Sequence, residues 1–203
     1  MNNDKIVCFG GSFNPTAIHH RLIAERLTWE FGRVVAIPCG MRPDKASAGL
    51  VSANHRAEMA LLTFARIPNV VVDLSDVANE DFARTYDLDL KMKARYGDNV
   101  WHAIGTDLVT GGARGESEIQ RRWYKGQELW NKANFIVMSR SGSRAGDEDL
   151  PPHSEVLIVD FPGSSTEIRN RLARGESIEG LVTPTVERYI LENKLYTSKR
   201  SGG

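Results

Sequence analysis

The chain has too few cysteines for a disulfide framework, no hydrophobic run long enough to cross a membrane, and no surplus of either charge. Its two cysteines, Cys8 and Cys39, each follow or end an apolar, strand-like run and form no C-x-x-C pair. They read as reduced, buried small hydrophobes of a cytoplasmic protein. No apolar stretch approaches the roughly 20 residues a membrane helix requires. Met1-Asn2-Asn3-Asp4 lacks the basic-then-apolar pattern of a secretory signal. With 26 basic and 26 acidic residues the formal net charge is zero, so nothing global attracts nucleic acid or an anionic membrane. The five histidines, at 19, 20, 55, 102 and 153, and the separated cysteines show no structural zinc spacing. No protein-held metal is expected. Two common phosphate loops are missing as well. No lysine completes a P-loop, and the glycine spacing fails the dinucleotide fingerprint.

What is present is a regular alternation. Strands are expected at Lys5–Phe9, Arg33–Ile37, Asn69–Asp73, Val100–Ile104, Asn134–Met138 and Glu155–Val159. Helices are expected at Ile18–Phe31, at Ala53–Ala65 behind the cap Ser52, at Tyr86–Tyr96 and at Gln127–Ala133. Two more close the chain: Ser165–Ala173, stopped at Gly175, and Pro184–Glu192 behind Thr183. The fold class is α/β. It is a doubly wound, Rossmann-like parallel sheet of five to six strands with helices on both faces and a small C-terminal helical extension. With 203 residues the chain suits a single domain over 1–196 with a disordered tail, 197–203. Gly111–Glu118 and Ser141–His153 are rich in Gly, Ser and charge and read as mobile loops. Trp29, Trp101 and Trp130 are assigned to packing.

The segment Gly10-Gly11-Ser12-Phe13-Asn14-Pro15-Thr16-Ala17-Ile18-His19-His20 leaves the first strand and opens the first helix. Two glycines, a hydroxyl and imidazoles gather where a helix N-terminus favours anions, which suits a phosphate. The plainer alternative is a tight turn feeding a helix. Ligands of doubly wound sheets sit beyond the carboxyl ends of the strands. Gly10–His20, Pro38–Lys45, Gly105–Asp107 and Ser139–Gly142 are therefore expected around one crevice.

These residues carry a resemblance. Gly10-Gly11-Ser12-Phe13-Asn14-Pro15 with His20, Pro43-Asp44-Lys45, His55-Arg56-x-x-Met59 and Thr85-x-Asp87 match in order. So do Ile104-Gly105-Thr106-Asp107, Trp123 before Glu128-Leu129, and Arg140-Ser141-Gly142. Ser164-Ser165-Thr166-x-Ile168-Arg169 and the ending Tyr189-Ile190-x-Glu192-Asn193-x-Leu195-Tyr196 complete the set. From about Lys5 to Tyr196 the chain resembles the bacterial-type nicotinate (or nicotinamide) mononucleotide adenylyltransferases of the HxGH nucleotidyltransferase superfamily.

The resemblance implies adenylyl transfer from ATP to nicotinate mononucleotide, yielding a dinucleotide and pyrophosphate in NAD synthesis. It implies Mg²⁺ as the companion of ATP, and it implies no nucleic acid or membrane partner; a homo-oligomer stays open. His20, Lys45 and Arg169 fall on the catalytic positions. ATP falls to Gly10, Gly11, Ser12, Phe13, His20, Gly105, Asp107, Ser165, Thr166 and Arg169. The mononucleotide falls to Ser12, Lys45, Thr85, Trp123 and Arg140. Each residue has a plainer reading: a solvated lysine for Lys45, a turn residue for Asp107, a core indole for Trp123. For Ser164 or Ser165 it is an N-cap.

The chain departs from the pattern at three places. Ala17 stands where the first His of HxGH belongs, and His19 where its Gly belongs. Alanine donates no hydrogen bond. His19 or Thr16 is left to supply the missing donor, although a residue in helical phase with position 17 plus two faces elsewhere. Asp44 replaces a family His, and Arg84 a family Tyr. Arg84 either strengthens carboxylate recognition, favouring nicotinate, or faces solvent. The alternatives are therefore a nicotinamide mononucleotide or other phosphate acceptor, or a nucleotide-binding module with decayed catalysis.

Overall fold

A computed structural model describes residues 4–40, 51–78, 84–140 and 145–197. Six strands form one parallel sheet: β1 (Lys5–Gly11), β2 (Gly32–Pro38), β3 (Val70–Val72), β4 (Val100–Gly105), β5 (Asn134–Ser139) and β6 (Ser154–Ile158). Their order is β3-β2-β1-β4-β5-β6. The chain winds outward from β1, returns to place β4 beside it, and winds outward again. That reversal is the doubly wound arrangement the alternation implies. The helices are α1 (Ile18–Phe31), α2 (Ala53–Phe64), α3 (Ser75–Ala78), α4 (Thr85–Tyr96), α5 (Glu118–Arg122), α6 (Gly126–Lys132), α7 (Ser165–Arg174) and α8 (Pro184–Glu192). The tail beyond residue 197 lies outside the described residues.

The chain groups into two compact units. The first holds β1 up to Gly10, the end of α1, the start of β2, and everything from α4 to β6. Its register aligns Gly105 at the end of β4 with Met138 of β5, and Thr106 Oγ1 donates to the Met138 carbonyl at 2.9 Å. Ile119, Leu129, Trp130 and Phe135 fill its core. Lys5 is buried, its ammonium 4.2 Å from the Trp101 ring centroid, 4.9 Å from Phe31 and 2.5 Å from the Glu155 carboxylate. Trp29 corrects the packing assignment, because it is 66% exposed near the end of α1.

The Gly111–Glu118 stretch is tied down. Gly111 and Gly115 sit at φ 85° and 72°, so these glycines serve turn geometry that sequence composition reads as looseness. Asp149 accepts from the Gly111 and Ala113 amides at 3.0 Å each, and those donors hold its carboxyl below the usual range. Ser117 and Gln120 then form a capping box that opens α5. A Cβ added at Gly126 would overlap the Ile119 carbonyl, which is backbone and cannot swing away. Gly126→Ala is therefore expected to cost roughly 3 kcal/mol and lower Tm by about 6–12 °C in a thermal melt.

The second unit holds Gly11–Arg26, the end of β2, α2, β3, α3, α7 and α8. Ser52, Ser164 and Thr183 cap α2, α7 and α8 through hydroxyls that accept from amides three residues on. Met59, Ile168, Val186 and Ile190 pack its core, and Ala17 adds its methyl to them.

Candidate active site

The turn between β1 and α1 is built from backbone and buried side chains. Phe13 takes a left-handed φ of 45° and buries its ring against Phe64, centroids 5.2 Å apart. A side chain at Gly11 would press on that ring, whereas a Cβ at Gly10 would meet open space. The chain turns into α1 through Asn14 and Pro15.

Three side chains converge on this turn from distant sequence, and His20 joins them from α1. Ser165, the first residue of α7, donates to the Pro15 carbonyl at 2.9 Å. Ser164 is thus the cap, and Ser165 is free of that duty. Arg169, one turn on, donates from Nη1 to the Asn14 carbonyl at 2.7 Å and from Nη2 to Thr166 Oγ1 at 2.9 Å. A guanidinium has five N–H donors, so three remain for an anion. Tyr196 donates to Asn14 Oδ1 at 2.5 Å, and burial pushes its phenol up, keeping it a neutral donor. His20 completes the group. Its Nδ1 accepts the Ala17 amide at 3.0 Å, so the ring proton sits on Nε2. Burial, with a smaller contribution from the adjacent His19, pushes His20 down to about 3. The imidazole is therefore a neutral N–H donor at neutral pH, not a cation.

The His19 ring centroid is 4.0 Å from that of His20, and the ring lies against Gly163. Thr16 is 0% exposed with a hydroxyl that finds no partner, and Ala17 packs into the core. Neither presents a donor to a ligand. Thr16→Val is expected to leave activity unchanged and to stabilise the fold by about 1 kcal/mol in denaturant unfolding, since it deletes an unsatisfied buried hydroxyl. A loss of turnover would assign Thr16 the missing donor.

The first unit holds the other sequence-derived residues. Gly105 ends β4, and the exposed Asp107 carboxylate folds back toward its α-carbon. Thr85 opens α4, Trp123 follows α5 partly buried against the core, and Arg140 is exposed after β5. Arg84 stacks on Tyr124 at 4.4 Å, and Lys125 on Tyr86 at 4.3 Å, so two cations flank this region. Lys45, Asp44 and residues 141–144 lie outside the described residues. No group of three His, Cys, Asp or Glu suited to a metal occurs among those described. Sequence reading did not single out Asn14 and Tyr196 individually. Their signal was the match at both chain ends, which says nothing of their contact.

The sheet order and a donor-lined turn after β1 define a Rossmann-like nucleotide-binding protein. The cytidylyltransferase-like family model matches residues 8–171. The nicotinate-nucleotide adenylyltransferase of Bacillus subtilis is 30% identical over 96% of this chain and 99% of its own length. The probable nicotinate-nucleotide adenylyltransferase of Exiguobacterium sibiricum is 32% identical over 96% and 100%. Among solved structures, Plasmodium falciparum nicotinic acid mononucleotide adenylyltransferase complexed with NaAD shares the fold at a TM-score of 0.75 and 21% identity, covering 95% of this chain and 97% of that one. The chain belongs to the cytidylyltransferase-like family and, within it, to the nicotinate-nucleotide adenylyltransferases: it is a nucleotidyltransferase of NAD biosynthesis. No helix among the described residues is long and apolar enough to cross a membrane.

Proposed function

We propose that the chain transfers the adenylyl group of ATP to nicotinate mononucleotide. A phosphate oxygen of the mononucleotide attacks the α-phosphorus, the bond to the β-phosphate oxygen breaks, and pyrophosphate leaves. The observation that carries this reading is the meeting of His20, Ser165 and Arg169 at residues 14–17. The donors there are N–H and O–H groups with one fixed positive charge. That set suits the oxygens of a triphosphate and the charge that collects on departing pyrophosphate.

In this reading Gly10, Gly11, Ser12 and Phe13 offer main-chain approach to the phosphates. His20 Nε2 donates to the reacting phosphate, and Thr166 and Arg169 hold the leaving group, with Ser165 offering its main-chain amide at the start of α7 while its hydroxyl stays on Pro15. Gly105 and Asp107 take the ribose of ATP. Thr85, Trp123, Arg140 and Ser12 take the mononucleotide, with Lys45 on its phosphate. The indole of Trp123 suits a pyridinium ring. Arg84 and Lys125 support a carboxylate-bearing ring over its amide. In this reading Mg²⁺ enters with ATP as the counter-ion of its phosphates, part of the substrate.

The test is to mix protein, Mg²⁺, ATP and either nicotinate or nicotinamide mononucleotide, then measure pyrophosphate and dinucleotide. Turnover with nicotinate mononucleotide well above its amide is expected. Equal or reversed preference would reassign the acceptor. Silence with both at high enzyme concentration, with ATP still bound, would leave a binding module.

A further inference from the structure

Arg56 belongs to the His55-Arg56-x-x-Met59 motif, and the proposed chemistry leaves it unused. It sits in the first turn of α2 and is 1% exposed. Its Nη1 donates to the Ser12 carbonyl at 2.9 Å and to the Cys39 carbonyl at 2.8 Å, with the Cys39 thiol at 3.5 Å. Its Nη2 donates to the Gly40 carbonyl at 2.7 Å, and its Nε finds no partner. Every partner among the described residues is neutral: three peptide carbonyls and the thiol of a free cysteine. No ion pair to Arg56 exists among the described residues.

A buried guanidinium without a carboxylate is an expensive feature to keep. Carbonyl dipoles recover part of the lost hydration, but among the described residues no carboxylate meets the unit charge. A ligand that brings negative charge would supply the compensation. The Ser12 carbonyl lies in the donor-lined turn itself, so the charge stands directly behind the residues proposed to meet phosphates.

We infer that Arg56 is a buried counter-charge for the polyphosphate, acting through the Ser12 turn rather than by contact, and that it sets how strongly the site prefers ligands by their charge. This rests on the adenylyltransferase reading of the same turn. Two effects combine. The fork fixes the Ser12, Cys39 and Gly40 carbonyls in place, and with the Ser12 carbonyl the Phe13 amide of the same peptide group. The field of the charge attracts the ligand in proportion to the charge on it. Arg56 is a positioning residue, and its electrostatic part separates it from a merely structural one.

The experiment is calorimetric binding of pyrophosphate, ATP, AMP and adenosine at fixed salt, with a thermal melt for every variant. In Arg56→Gln, pyrophosphate and ATP are expected to bind about tenfold or more weakly, AMP less so, and adenosine unchanged. Arg56→Lys restores most of the charge-dependent part. Cys39→Asp sets a carboxylate beside the guanidinium. It is expected to leave the melting temperature level or higher while pyrophosphate affinity falls. A folded Arg56→Gln with wild-type pyrophosphate affinity overturns the inference, as does an equal loss for adenosine and pyrophosphate. Should Arg56→Gln fail to fold, unchanged pyrophosphate affinity in Cys39→Asp overturns it. Wild-type protein that binds no polyphosphate overturns the adenylyltransferase reading along with it.

Discussion

His20→Ala is expected to lower kcat by roughly 10²–10³-fold with little change in KM for ATP, because it deletes a donor aimed at charge that grows in the transition state. The size of the effect follows from how the ring is held. The Ala17 amide occupies Nδ1, which fixes the proton on Nε2 and costs no reorganisation during the reaction. The pH profile follows from the same contact. With His20 held down at about 3, kcat/KM is expected to show no histidine limb between pH 5 and 8 that vanishes in His20→Ala. Stability gives the reciprocal sign. Above the unfolded value near 6.5 the ring is neutral in both states and imposes no penalty. Below it the unfolded chain takes up a proton that the fold refuses, so stability falls as pH drops toward about 3. Urea midpoints across that range should slope less in His20→Ala than in the wild type.

Arg169→Ala is expected to lower kcat/KM by roughly 10²–10³-fold, about 3–4 kcal/mol of transition-state stabilisation. Two functions are lost together. The side chain braces the Asn14 carbonyl and Thr166, and it keeps donors for the leaving pyrophosphate. Arg169→Lys separates them. A lysine keeps the charge but lacks the planar fork that reaches two acceptors and an anion at once. It should recover only part of the rate, with pyrophosphate inhibition weaker than in the wild type. A full recovery with lysine would mean that point charge alone matters at this position.

Much of the fold was legible in the sequence because buried parallel strands read as short β-branched runs. All six strands appear within two residues of their expected ends. Caps were legible for the same local reason: Ser52 and Thr183 act where hydroxyls precede helical patterns. Three features were hidden. The short helices α3 and α5 carry too few residues to show a period, and α5 starts where a glycine-rich stretch ends. Trp29 sits on α1 in phase with no buried neighbour, and composition alone counted its indole as core.

The site divides in the same way. The donor types at its two ends were legible, and Ser165 and Arg169 do reach residues 14 and 15. Side-chain direction where a turn becomes a helix was not. Helical phase turned His19 away from the direction of position 17 but gave no sign that, with α1 beginning at Ile18, its ring would lie against that of His20. The neutral state of His20 was hidden, since sequence carries no burial and no account of the amide on Nδ1. Arg56 stood in the sequence only as part of the His55-Arg56-x-x-Met59 match, with no role of its own. Only packing reveals that its charge is enclosed.

Nitrogen-15 NMR of histidine-labelled protein, titrated with pyrophosphate, tests the central claim most directly. His20 at pH 7 is expected to show an unprotonated Nδ1 that accepts the Ala17 amide and a protonated Nε2, with no titration between pH 5 and 8. The Nε2–H signal is also expected to move as pyrophosphate binds. A His20 ring that titrates near pH 6.5 and ignores pyrophosphate would contradict that claim.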